Sequence, residues 1–481
     1  MRKVNNLIVF LCLTLITGLT SGQLSAQEAK QWTLEECIDY ALQNNLSLAR
    51  AELTNERANL TYKQSRYELL PNLNASGSYS FNYGRNIDPF TNTIVTEESQ
   101  FSRASISSSV TLFSGIRLRN TIKQNKVLLE ASKLDYENTR DNVSLDVVTF
   151  YLNVIFTQEL LKNAQDQKAS TQEQLNRTTQ MVEAGSLPLS NQLDLEAQLA
   201  GDESNVISAE NNLRMALLTL KQQLQIPATQ PFDIVVPALE MAATESTDKS
   251  VNDIYDAALQ SRPNVRSAQL NVESSIIGEQ IAKGAYYPTL SAGYTLGTNY
   301  SSLAEEFLGF QPFIDTVGFL YTNNDQYVAG LNFERLTNPD YTYLDQMVDN
   351  RNGSIFLSLN IPIFNAFRTR TNVQQAAVNR QLAEIALKET ENQLRQIIET
   401  AYNDVVAAAK SYEASDKQVA ALREAFRVNE ERYEVGAVNF TEYQVSKNNL
   451  NRAENDLVRA KFDYIFKLKI VDFYLGNPLT L

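Results

Sequence analysis

The 481-residue sequence predicts a mostly helical fold with a small β part, built twice from long coiled-coil hairpins. Three observations predict it. First, Leu112-Phe113-Ser114-Gly115-Ile116-Arg117-Leu118-Arg119 is matched by Ile363-Phe364-Asn365-Ala366-Phe367-Arg368-Thr369-Arg370, 251 positions later, and the same offset carries Gly185 onto Gly436. Upstream the offset is 217: Ala41-Leu42-Gln43 matches Ala258-Leu259-Gln260, and Leu70-Pro71-Asn72-Leu73 matches Tyr287-Pro288-Thr289-Leu290. The difference, 251 less 217, places a 34-residue insertion in the second half, between Ala292 and Ile363. Second, two stretches of about 70 residues lack proline and interior glycine, a length that makes rods of roughly 105 Å at 1.5 Å per residue. Third, four short segments alternate apolar and polar residues with period two.

Taken in order, residues 1–26 read as a secretory signal. Arg2 and Lys3 supply charge, Leu7 to Leu19 the apolar stretch, and Leu24-Ser25-Ala26 a small-residue cleavage site. The apolar run is too short to span a bilayer, and Cys12 lacks the small residues that precede a lipidation site. Removal of the signal leaves Cys37 as the only cysteine, so no intrachain disulfide is available. No later run of apolar residues is long enough for a transmembrane helix. A net charge of −14 argues against nucleic-acid binding, which needs clustered Lys and Arg. With no histidine, the commonest general base and a major metal ligand are missing. No triad, phosphate loop or metal cluster occurs either, so no catalytic activity, metal or cofactor is expected.

Repeat 1 is placed at 27–226, a linker at 227–250 and repeat 2 at 251–481. Each repeat should hold short helices, two strands, a long helix (114–185 and 365–436) and a return helix (189–224 and 440–475). In the second long helix Ile398, Val405, Tyr412, Val419, Phe426 and Tyr433 recur every seven residues. Leu387, Leu394, Ala401, Ala408 and Leu422 form a second row with Ser415 as its polar exception, the a and d pattern of a coiled coil. The first long helix shows Val147, Val154, Leu161, Leu175 and Val182, interrupted by Lys168. Gly185 and Gly436 suit the left-handed conformation that closes a helix. Pro188 then fits the first turn of the return helix, and Asn439 or Thr441 would cap its counterpart.

The strands fall at about 72–83, 102–113, 289–300 and 354–363. Leu73, Ala75, Tyr79, Phe81 and Tyr83 share one face of the first, and Ala104, Ile106, Val110 and Leu112 one face of the second. Leu290, Ala292, Tyr294, Leu296 and Tyr300 mark the third, and Ile355, Leu357, Leu359, Ile361 and Ile363 the fourth. Such segments match transmembrane strands, apolar to lipid and polar to a lumen, with Arg103 on the lumen side; a soluble β-sandwich is the competing reading. Four strands cannot close a barrel, and open edges are not tolerated in hydrocarbon, so a membrane location requires a barrel shared between chains. Pro71 and Pro288 mark helix-to-strand junctions. The insertion, rich in Phe, Tyr, Asn and Asp, is read as a surface loop, with a plug or receptor site as the alternative.

These features together resemble the TolC-like outer-membrane efflux family over essentially the whole mature chain. Carrying the resemblance are the tandem repeat, the junction prolines, Leu-Phe-Ser-Gly before the long helix and the Val/Ala-Gly hairpin turns. Residues 83–89, Tyr-Gly-Arg-Asn-Ile-Asp-Pro, look like the first outer loop of family members from the Bacteroidetes group. The resemblance implies a homotrimer in the cell outer membrane and its lipid, extending into the periplasm. It would have a trimeric α-helical barrel and a shared 12-stranded transmembrane β-barrel, four strands per chain. It further implies an exit duct of a tripartite efflux or type I secretion system, coupled to a periplasmic adaptor (membrane fusion) protein and an inner-membrane pump. Gly185, Leu187, Ser190, Gly436, Val438 and Thr441 fall on the turns that meet the adaptor in relatives. Tyr433 coincides with a gate tyrosine, Glu442 with an acidic position lining the constriction, and Asn191 with its polar partner. Val438 stands where relatives carry a gate arginine and Val445 where they carry a second acidic ring, so the charge network is thinner here. Read from the pattern alone, Tyr433 continues the heptad row as core and Glu442 is a solvated helix residue. A secreted coiled-coil adhesin or rod without a pore is the other reading of the long heptads.

Overall fold

The computed structural model describes residues 31–87, 92, 94–96, 98–237, 250–320 and 326–477. The expected signal at 1–26 lies outside them, as do Asp88 and Pro89 of the first outer loop and most of the linker's second half. The described residues divide into two compact units, one drawn from 31–57, 130–270 and 385–477, the other from 58–129 and 271–384.

The first unit is helical and shows the repeat in its core. Helix α1 (Leu34–Asn44) begins with a capping box in which the Thr33 hydroxyl accepts from the Glu36 N–H and the Glu36 carboxylate accepts from the Thr33 N–H. After α2 (Leu46–Tyr67) come the long helix α3 (Arg117–Glu183) and its return α4 (Leu189–Gln223). Helix α5 (Val251–Ser261) opens with the same device, Ser250 with Asp253, and leads into α6 (Pro263–Lys283). Cys37 and Ala41 of α1 pack on Val147, Val154 and their neighbours of α3. Ile254 and Ala258 of α5 pack in the same way on Ile398 and Val405 of the second long helix. Strands β1 (Gln31–Trp32) and, from the segment after α4, β6 (Asp233–Ile234) pair in parallel. The Tyr151 hydroxyl reaches the carbonyls of Trp32 and Val235 at 3.1 and 2.5 Å, fixing that strand pair to α3.

The second unit is built on a four-stranded sheet. Its strands are β2 (Asn72–Asn82), β5 (Ser99–Ser114), β7 (Thr289–Ser301) and β10 (Asn352–Asn360), in the antiparallel order β10-β7-β5-β2. Short β3 (Asn86–Ile87) and β4 (Ile94–Val95) pair with each other between β2 and β5. The register brings the alternating apolar residues onto one face: Ala75 lies opposite Ile106, Ile106 opposite Leu296, and Tyr294 opposite Ile355. That face is bare, with Leu73 75% and Ile355 86% exposed. A sandwich core would have buried it. A bulge between Thr111 and Phe113 makes Phe113, rather than Leu112, the partner of Leu290.

Each β hairpin enters its long helix through two consecutive left-handed residues, Gly115-Ile116 before α3 and Ala366-Phe367 before the second long helix. A Cβ on Gly115 would lie 2.3 Å from the Gly284 carbonyl oxygen, so this turn needs glycine. Between β7 and β10 the expected surface loop is instead ordered. It forms the long hairpin of β8 (Glu306–Leu320) and β9 (Gln326–Asn338), followed by α7 (Tyr343–Asp349). Phe310, Pro312 and Ile314 alternate with Gln311 and Asp315, but Phe313 breaks the pattern, and Gly309 and Pro312 are residues that strands disfavour. The chain continues in α8 (Arg368–Glu434) and α9 (Phe440–Leu475). No helix among the described residues is long and apolar enough to cross a membrane.

Candidate functional site at the hairpin turns

Two helix-to-helix turns carry the candidate residues. Met181 and Val182 end α3 by accepting from the N–H groups of Ser186 (2.8 Å) and Gly185 (2.9 Å); Arg432 and Tyr433 end α8 by accepting from Ala437 (2.7 Å) and Gly436 (3.0 Å). This paired pattern is a Schellman closure, and it needs a left-handed residue at the glycine. Gly185 and Gly436 supply it, at φ +71° and +72°. A Cβ on either would meet open space, so the glycines serve the backbone turn and leave the outer surface clear. Ser190 and Thr441 are exposed beside them, with Leu187 and Val438 half-buried. Pro188 occupies the cap position of α4 itself, one residue earlier than expected, at ψ 150°. Asn439 caps α9: its side chain accepts from the Glu442 N–H at 2.8 Å and donates to the Glu442 carboxylate at 3.0 Å.

Glu442 is therefore exposed but held, with its carboxylate at the positive end of α9. Among the described residues no hydrogen bond joins Asn191 to Glu442 or to Tyr433; Asn191 sits half-buried in the first turn of α4, its N–H donating to the Pro188 carbonyl. Tyr433 turns inward. Its ring stacks on Tyr443 at 4.9 Å and lies 6.1 Å from Phe440, and Phe426 closes the group 5.6 Å from Tyr443. The Tyr433 hydroxyl is buried there with no hydrogen-bond partner, and burial pushes its phenol above the usual tyrosine value.

Sequence reasoning missed a polar interface between α3 and α9. The second heptad row of α3 is Val143, Phe150, Thr157, Ala164, Thr171 and Thr178, apolar at one end and threonine-rich toward the turn. Thr157, Thr171 and Thr178 are all buried. Facing contacts change in step. Phe156 meets Phe462 at 5.8 Å, but nearer the turn Asn163 meets Asn455 (3.4 Å), Thr171 meets Lys447 (3.5 Å) and Gln174 meets Tyr443 (3.5 Å). Lys168, the sequence exception, pairs with Glu203 of α4 at 3.1 Å.

Comparison with known proteins agrees with this architecture. The sequence profile described as outer membrane efflux protein matches residues 37–224 and 254–477, both repeats. Outer membrane protein TolC of Escherichia coli (strain K12) is 22% identical over 468 residues, covering 97% of this chain and 86% of that one. Outer membrane efflux protein BepC of Brucella suis is 23% identical over 450 residues, covering 93% and 86%. Among solved structures, the CmeC outer membrane channel of Campylobacter jejuni superposes with a TM-score of 0.73 at 19% identity, over 92% of this chain and 85% of that one. VceC of Vibrio cholerae gives 0.72 at 14%, over 93% and 97%.

Proposed function

The chain belongs to the outer membrane efflux protein family, and from that membership we infer that three copies enclose one passive exit duct across the outer membrane. The observation that carries the trimer is the sheet: β2 and β10 stand at its two edges, and its outward apolar face is exposed. In hydrocarbon an unpaired strand edge costs several kcal/mol per backbone group, so β2 of one copy pairs with β10 of the next. Three four-stranded sheets then give 12 strands, within the range of known barrels. A secreted rod leaves that sheet without a purpose.

The helical hairpins extend into the periplasm, where the turns at Gly185 and Gly436 receive an adaptor linked to an inner-membrane pump. Open space around both glycines supports this, because it lets another backbone approach closely. Glu442, repeated three times, forms a negative ring that favours cations at the constriction. Asn191 lines the same passage, and Tyr433 holds α8 against α9 behind it. Nothing in the duct performs chemistry; the pump supplies the work and selects the cargo.

Purified full-length protein tests this in detergent and in planar lipid films. Trimers that conduct, with a cation preference that Glu442→Gln reduces severalfold, are expected. A single-chain species that never carries current overturns the duct, and unchanged selectivity removes Glu442 from the constriction.

A further inference from the structure

The polar interface between α3 and α9 holds one group that does not fit a purely cohesive role. Lys447 is only 4% exposed, and among the described residues its ammonium makes one hydrogen bond, a long one of 3.5 Å to the Thr171 hydroxyl. Asp202 of α4 is 2% exposed and by contrast well served. It accepts from Thr171 at 2.7 Å, from Gln198 at 2.9 Å and from Gln167 at 3.4 Å. Asp202, Glu430 and Glu173 surround the ammonium with negative charge, yet burial outweighs their pull and lowers its pKa. Beside the cluster lies a cavity of about 780 Å³ bordered by Gln167, Asp202, Asn205, Arg423, Lys447 and Glu454.

We propose that Lys447 is a charged wedge that biases the seam between the hairpins α3–α4 and α8–α9 toward opening. A buried ammonium needs three acceptors and has one, so closing the seam keeps it from water without replacing that hydration. Separation of the hairpins widens the ammonium's access to the adjoining cavity, which Lys447 only borders while the seam is closed, and relieves the ammonium. Asp202, already satisfied, and the Thr171 bridge oppose it. The Phe156–Phe462 contact stays apolar and acts as the fixed end, so the seam parts from the turns inward. Two opposed groups in one cluster leave closed and open arrangements close in free energy, as a duct regulated by weak contacts at its turns requires. This inference rests on reading the chain as a duct.

Opposite signs in two variants test it. Removing one partner of a buried ion pair loosens an interface when the charge left behind has no other contacts. Without Lys447, Asp202 keeps its donors Thr171, Gln198 and Gln167, whereas without Asp202 the ammonium keeps only the long Thr171 contact, so the two variants carry opposite signs. Lys447→Met is therefore expected to slow amide hydrogen exchange in residues 440–455 by roughly tenfold and to lower film conductance. Asp202→Asn is expected to speed that exchange by roughly tenfold and raise conductance; if it does not assemble, Thr171→Val carries the same sign. Faster exchange in both variants, no change in either, or a Lys447→Met chain that fails to assemble overturns the wedge. Exchange that shifts as expected while no form ever conducts upholds the wedge and removes the duct.

Discussion

Tyr433 shows how one residue serves two readings. Its ring continues the heptad row into the aromatic group at the turn, which is a core role. Its hydroxyl is buried without a partner, which core packing does not require. A buried hydroxyl without a hydrogen bond is destabilising, so Tyr433→Phe should leave the trimer's melting temperature unchanged or raise stability by about 1 kcal/mol. A fall of that size would mean the hydroxyl finds a partner across a subunit boundary. The pH dependence has a definite sign. Burial raises this phenol above its ordinary value of 10.0 by penalising the phenolate, so the turn keeps its full stability below that pH and loses stability as pH rises from there through the shifted value. Exchange at the turn should thus accelerate at strongly alkaline pH in the parent and lag in the Phe variant. Glu442 was legible as an acidic position, but its bond to Asn439 depends on a cap that several residues there would have satisfied equally.

At the level of elements, the sequence patterns were clearest where burial is one-sided. Cys37 and Ala41 against Val147, and Ile254 and Ala258 against Ile398, follow from the repeat and the heptads. Threonines at Thr171 and Thr178 hid the second row of α3, because a buried hydroxyl reads as surface in a hydrophobic count. The bulge at Leu112 was illegible too, since an extra residue in a strand has no compositional mark. The sheet faces make a sharp comparison. Ile355 points from the bare apolar side, and Ile355→Arg should destabilise insertion by roughly 2–4 kcal/mol, read as loss of detergent-resistant trimers. Ser107, on the opposite face, should accept Arg with little loss. Equal damage from both would deny that the sheet has a lipid side.

For the whole molecule, the inserted hairpin is an addition to the barrel sheet and not part of it. Among the described residues, strands β8 and β9 pair only with each other, and Glu306 lies opposite Asn338, so the ends of the hairpin are neighbours. Replacing 306–338 by a short glycine linker should preserve trimers and conduction in lipid films. Loss of trimers would make the hairpin part of the subunit contact. Helix α7 should be kept, because Gln346 is buried and bridges to the Ser301 backbone in both directions, at 3.0 and 3.1 Å. The insertion was counted correctly from the repeat offsets, yet its structure was not, because length alone does not distinguish a loop from a hairpin.

If three copies share one barrel, as proposed, the two borders of the β10-β7-β5-β2 sheet make membrane insertion and subunit recruitment a single event. A lone protomer would have no stable resting place in lipid, so the rate at which ducts mature depends steeply on how many copies are waiting in the periplasm. One defective copy that retains both borders would spoil the two sound ones that join it, and a mixed population would lose function faster than its share of altered chains.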